Sequence, residues 1–350
     1  MPQCLKCGAE LPVNEEGVAP VLCDRCAGRA TRRARVGMNT GSLRQFPATT
    51  ILTGINVAVF IGMVLTGGSI MGFSSQQTIL WGGNFGPLTL GGEYWRLVTA
   101  GFVHGGLLHI AFNMWCLWSI GQLSERLFGS WITFAIYILT GVGGSLLSVG
   151  WNPMRFEVGA SGAIFGIAGA LLSGIKFGHV SVSSAQRRSI LSSLVFFVGF
   201  NLFLGGAIPG IDNMCHLGGL VSGLIFGVPL ATASASGKKS FEWATIVLAA
   251  LVMAGIGGQV VKSKSHVSQL RVAAMQIQSG NYPAAIPLLE RATASDPSDA
   301  QAHLMLGYVY EMTGQRSRAA TEYQRALQID PGLSAARKQL EELQAAPQEK

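Results

Sequence analysis

Residues 159–177 read GASGAIFGIAGALLSGIKF, with Ser161 at the start and no charge before Lys176. Such a stretch reads as a membrane helix, since about twenty apolar residues at about 1.5 Å each cross the hydrocarbon core. Gly162, Gly166, Ala170 and Gly174 recur every fourth position. They line one face as a stripe of small residues, which lets a second helix approach backbone to backbone. A second run carries the same device: Gly219, Gly223 and Gly227 follow Asp212-Asn213-Met214-Cys215-His216-Leu217-Gly218. Polar groups are costly in a bilayer, roughly 2.5–3.5 kcal/mol for a charge, so Ser161 and His216 each need a reason. If the two striped helices pack together, hydroxyl and imidazole meet near the same end, as a nucleophile and its base would. Alone the serine motif is weak. Gly-Ser-Gly is common in helix packing, and a soluble hydrolase elbow would follow a strand and end in Gly, where this chain has Ala163.

The rest of the chain fits a membrane setting. Charged residues make up 12% of it and hydrophobic ones 49%, with mean hydropathy +0.39; soluble chains are nearer a quarter charged. Apolar runs at roughly 49–66, 107–124, 131–150, 160–177, 189–206, 214–232 and 243–261 predict seven transmembrane helices. The second run is interrupted by His109 and Asn113. The 46 glycines suit close helix packing. The first residues carry cysteines and charges instead of a basic tip and apolar core, so no cleavable signal peptide is expected.

Basic residues set the expected orientation. Arg29, Arg32, Arg33, Arg35 and Arg44 precede the first run and predict a cytoplasmic N-terminus. Alternation then puts Arg126, Lys176, Arg187, Arg188, Lys238 and Lys239 inside, and only Arg96 and Arg155 in outer loops. Lys262 and Lys264, just past the seventh run, go against the pattern. If that run spans, the C-terminal region lies outside. These anchors account for most of the net charge of +7, and no nucleic-acid partner is expected.

Soluble modules flank the membrane part. Cys4-x2-Cys7 and Cys23-x2-Cys26 have the spacing of a four-thiolate zinc site. Residues 1–27 are therefore expected to be a zinc ribbon, its metal structural because four sulfurs leave no open position. A redox dithiol pair is the lesser alternative. Residues 28–48 form a basic linker. At the other end, residues 266–345 repeat with a period of thirty-four: Gly280, Ala285, Ala292 and Asp296-Pro297 recur as Gly314, Ala319, Ala326 and Asp330-Pro331. With Leu306-Gly307, Tyr310 and Tyr323, this resembles tetratricopeptide repeats, closed by a capping helix at 334–345. Such stacks carry a groove for a protein or peptide, although a plain helical hairpin without a ligand is also open.

One further cluster completes the picture. His104-x4-His109-x3-Asn113 puts His109 and Asn113 on one helix face, near the end expected to carry Ser161 and His216. Together with Trp95-Arg96 in the long first loop, Glu125-Arg126 after the second run, Gly159-Ala160-Ser161-Gly162 and His216 followed by paired glycines, residues 49–232 resemble the rhomboid intramembrane serine proteases. The resemblance implies an all-α polytopic membrane protein of six core helices plus a seventh. The seventh helix and its preceding cytoplasmic loop occupy 233–265, an arrangement found with C-terminal repeats in bacterial relatives. It implies a Ser161–His216 dyad without a third acid, and an oxyanion hole from His109, Asn113 and the Ser161 amide. Phe165 would pack on the histidine; Gly159, His104, Trp95, Arg96 and Glu125 would be supporting. No catalytic cofactor is implied. Substrates would be membrane proteins whose helices unwind near the outer boundary of a bacterial plasma membrane, with small residues easing the unwinding. Two rival readings stand beside it. A non-catalytic membrane adaptor or quality-control factor would bind clients through the core and repeats. A transporter would use the same histidines and asparagine as pathway residues, but lacks the expected intramembrane charges and inverted repeats. Cys116 and Cys215 read as buried small residues.

Overall fold

A computed structural model describes residue 10 and residues 46–178, 183–208 and 210–345. Cys4, Cys7, Cys23 and Cys26, and nearly all of the basic linker, lie outside the described residues. The apolar runs form the helices α1 (Pro47–Leu65), α2 (Leu107–Phe128), α3 (Ser130–Trp151), α4 (Ser161–Phe177), α5 (Ser184–Ala207), α6 (Asn213–Ser236) and α7 (Lys239–Gln278). Of these, α1, α3, α5, α6 and α7 are each long and apolar enough to cross a membrane. α2 qualifies jointly with the segment Arg96–Phe102, from which it is bent by 94°. The chain is thus a multi-pass membrane protein, and its described residues are mostly helical.

α4 is the centre of the bundle. It has only 17 residues, and all but a few are buried, from Gly162 to Ile175. A helix of about 25 Å enclosed by its neighbours has no need to match the bilayer thickness itself. Its small-residue row faces that of α6. A methyl on Gly219 would overlap the Gly162 carbonyl oxygen, and one on Gly223 would overlap that of Gly166. Only glycine allows this approach, and dispersion across it replaces the hydrophobic drive that lipid cannot supply.

Contacts fix which helix ends lie together. At one end, Ser234 donates to the Phe128 carbonyl at 2.6 Å, and a methyl on Gly174 would meet Phe128 and Ala231. By helix direction that end carries Arg126, Lys176, Lys238 and Lys239. Here Glu125 accepts from the amides of Ala48 (3.2 Å) and Thr49 (2.6 Å), satisfying two orphan donors of α1, whose N-cap residue Phe46 has no capping side chain. At the opposite end lie Ser161, His216 and the long first loop. That loop contains strand β1 (Asn84–Phe85), paired antiparallel with β2 (Phe156–Glu157) just before α4. Arg96 is buried and pins the loop by donating to the carbonyls of Ile79 (2.6 Å) and Gly83 (3.0 Å) while pairing with Glu93. Trp95 is half exposed, its ring against the Arg96 guanidinium.

α7 starts at the basic end, and by Gly257 and Val260 it has reached Leu146 and Gly150 near the far end of α3. It then continues without a break to Gln278. The boundary expected at 265/266 therefore falls inside a single helix, whose 40 residues extend about 60 Å. Its last turns pack on α8 (Tyr282–Ser295), followed by α9 (Ala300–Met312), α10 (Arg316–Ile329) and α11 (Ser334–Ala345). Ala285, Ala292, Ala319 and Ala326 are fully buried between these helices. Gly307 has no room for a side chain, because a methyl there would lie 2.6 Å from the Tyr323 ring.

Candidate active site

The nucleophile candidate occupies the first turn of α4, held by the chain before it. Gly159 has φ +118, a conformation that side chains disfavour, and a methyl there would lie 2.7 Å from the His109 ring. Its amide donates to the Ala100 carbonyl at 2.9 Å. The turn thus delivers Ser161 to one place, with the hydroxyl part-buried.

His216 stands one turn into α6. Asp212 caps this helix, accepting from the amides of Met214 (3.0 Å) and Cys215 (3.2 Å). The α4–α6 approach then sets His216 Nε2 2.9 Å from Ser161 Oγ. Phe165, one turn after Ser161, stacks on the imidazole with ring centres 4.4 Å apart and planes 4° from parallel. Among the described residues Nδ1 of His216 has no hydrogen-bond partner. The ring is held by stacking and packing instead of by a carboxylate.

α2 supplies the third side. His109 lies against Gly159, and its Nδ1 accepts from the Gly105 amide at 3.3 Å. Asn113 donates to the His109 carbonyl at 2.9 Å, and its amide nitrogen is 3.9 Å from where a Gly159 methyl would be. Both are therefore beside the Ser161 turn. His104 is fully buried, edge-on to His109 at 5.1 Å. Trp95 and Arg96 hold together the first loop, and Glu125 lies at the opposite end of the bundle. Among the described residues no cluster of histidine, cysteine and carboxylate side chains fit to hold a metal ion is found.

One buried group beside the site is invisible in the sequence patterns. Glu157, on β2, is 3% exposed and accepts from Asn84 at 2.8 Å and from the Cys215 thiol at 3.4 Å. A carboxylate four residues before a candidate nucleophile is the only signal that could have flagged it. Burial lifts its pKa to about 7; hydrogen bonds from Asn84, Ser145 and Cys215 oppose the rise and Asp212 adds to it.

A hydroxyl within hydrogen-bond distance of an imidazole, at one end of an apolar helical bundle, defines a candidate intramembrane serine hydrolase site. Comparison with known proteins agrees with that class. Residues 91–233 match the family model of the rhomboid domain, and residues 276–334 that of the tetratricopeptide repeat. Rhomboid protease GluP of Bacillus subtilis (strain 168) is 29% identical over 299 residues, covering 75% of this chain and 57% of that protein. RHOMBOID-like protein 4 of Arabidopsis thaliana is 41% identical over 140 residues, 40% of this chain and 35% of its own length. Rhomboid-like protease 5 of Toxoplasma gondii is 37% identical over 153 residues, 43% of this chain and 18% of its own. The chain thus spans from under a fifth to just over half of these relatives.

Proposed function

We propose that this protein is an intramembrane serine endopeptidase that cleaves transmembrane segments of membrane proteins near the outer boundary of the bilayer. The observation that carries the proposal is the 2.9 Å contact between Ser161 Oγ and His216 Nε2. In the reaction His216 takes the hydroxyl proton as Ser161 attacks the scissile carbonyl, and returns it to the leaving amine. Water, deprotonated by the same imidazole, then releases the acyl group and regenerates the serine. His109, Asn113 and the Ser161 amide serve the oxyanion, the place where charge develops. Phe165 holds the imidazole plane, which substitutes for a third acid.

α5 is the route for substrate. Among its residues only Leu194 is buried, while Phe196, Phe200 and Phe203 face outward. Its phenylalanines reach Phe165, the residue stacked on His216, through Phe197 at 5.6 Å. A substrate helix moving past so lightly held an element would meet the site from the side. The positive-inside pattern supports a cytoplasmic N-terminus and catalysis on the outer side of a bacterial plasma membrane. The repeats, carried outward on α7, would hold extramembrane parts of protein partners. The cysteine spacing supports a structural zinc on Cys4, Cys7, Cys23 and Cys26, with no part in the reaction.

The proposal is tested by reconstituting the protein in vesicles with a single-pass substrate of glycine-containing transmembrane sequence. The wild type is expected to cut it, and Ser161→Ala to leave it intact. Cutting by Ser161→Ala at the wild-type rate would refute the assignment, while a biological role that survives the substitution would favour the adaptor.

A further inference from the structure

Glu157 stands between the two chain segments that carry the reacting groups. Its Oε1 accepts from the thiol of Cys215, the residue immediately before His216, at 3.4 Å. Its own backbone, on β2, leads through Gly159 to Ser161. Oε2 accepts from Asn84 at 2.8 Å, and the same amide group donates to the Ser145 carbonyl at 3.2 Å. Asn84 in turn accepts from Thr89 at 2.6 Å, and the strand register pairs Asn84 with Glu157 directly. One carboxyl thus ties together the first loop, α3, the strand that delivers Ser161 and the helix that delivers His216.

Cys215 leaves little slack on its side. Its sulfur would lie 2.6 Å from a methyl on Gly162 and 2.9 Å from one on Gly144. The thiol is wedged between α3 and α4 and aimed at the carboxyl. No role in the chemistry itself accounts for a buried acid here, and a carboxyl that loses its partners in such a place is costly. We propose that Glu157 is a positioning residue, which fixes the separation of Ser161 from His216 by bonding the Cys215 thiol on one side and Asn84 on the other. The inference rests on the protease assignment above.

The bonds donated to the Glu157 carboxyl oxygens favour its charged form, whereas burial and the neighbouring Asp212 favour the neutral one, and burial weighs most. The groups facing it are Asn84 from the first loop, Ser145 from α3, and Cys215 and Asp212 from α6. Asp212 is itself paired with Arg155 at 3.7 Å and bonded to Ser148. Because burial raises its pKa to about 7, Glu157 is mostly neutral below that pH and gains a charge close to Asp212 above it. The folded state holds the proton more tightly than the unfolded one does. The stability it contributes is therefore complete below the ordinary value of 4.5 and is lost as pH rises toward about 7.

The test uses the full-length protein in vesicles, with kcat and KM measured on the model transmembrane substrate from pH 5.5 to 8.5, alongside thermal melting. Displacing a reacting group by an ångström costs up to about 100-fold, so Glu157→Ala is expected to lower kcat about 10–100-fold with KM within about twofold. Glu157→Gln keeps the shape, and its single carbonyl oxygen can still accept from Asn84 while its amide donates to the Cys215 sulfur, so it should recover most of kcat and abolish any pH step near 7. Cys215→Ala should lose kcat, and Cys215→Ser, which restores a donor, should regain it. Wild-type kcat in Glu157→Ala overturns the inference. So does a loss that Gln does not repair and that tracks melting alone. Should Glu157→Ala fail to fold, Cys215→Ala decides the matter, and wild-type kcat in that variant overturns the inference. Absence of cleavage by the wild type, by contrast, sinks the protease assignment itself.

Discussion

Ser161 and His216 meet because each sits in the first turn or so of a helix whose start is independently fixed. Gly159 supplies the turn for one, and Asp212 the cap for the other. Around them, roles divide by contact. Asn113, bonded to its own helix at the His109 carbonyl, still presents an amide toward the Ser161 turn. Loss of one such donor typically costs about 10²–10³ in rate. Asn113→Ala is accordingly expected to lower kcat by about that factor with KM little changed, measured on the vesicle substrate. An equal rise in KM with kcat intact would show that Asn113 binds substrate instead. The histidine, asparagine and serine were legible in the sequence because polar residues in apolar runs stand out. Glu157 was not, since a single carboxylate in a loop has no period or partner spacing to mark it.

Helix pairing accounts for the next level of organisation. The glycine row of α6 is not interchangeable with alanine, because the carbonyls of Gly162 and Gly166 occupy the space a side chain would need. Gly223→Val must push α6 off α4, and overpacking of this kind costs roughly 1–3 kcal/mol or more. We expect it to lower the melting temperature in detergent and to abolish cleavage together. A variant with unchanged melting and activity would mean the two helices are free to separate. This pairing was legible in advance, as two runs of small residues at intervals of four carry it. The short elements of the first loop were not. Two-residue strands such as Asn84–Phe85 and Phe156–Glu157 leave no alternation to detect, and their pairing is set by the helices on either side. The far end of α7 was also hidden, for a hydropathy pattern stops where apolar residues stop, while the helix runs on through Lys262, Lys264 and His266.

That continuity shapes the whole molecule. The seventh membrane helix and the first helix of the repeats are one rod, so the repeat stack stands on the Ser161 side at a set angle about the rod. Each added residue turns the stack about 100° and raises it about 1.5 Å. If the stack presents substrates to the site, inserting two alanines after Ser265 should slow cleavage of substrates with an extramembrane domain. A seven-residue insertion, nearly two full turns, should restore much of the rate. Both should leave reaction of Ser161 with a small probe unchanged. Equal cleavage by all three proteins would show that the angle does not matter.

The central claim is that Ser161 is a nucleophile activated by His216. It is tested most directly by treating the purified full-length protein with a fluorophosphonate and locating the adduct by mass spectrometry. The account predicts one modified residue, Ser161, with labelling lost in His216→Ala and retained in Cys116→Ala. Labelling of Ser161 that persists undiminished without His216, or an adduct elsewhere with Ser161 unmodified, would contradict it.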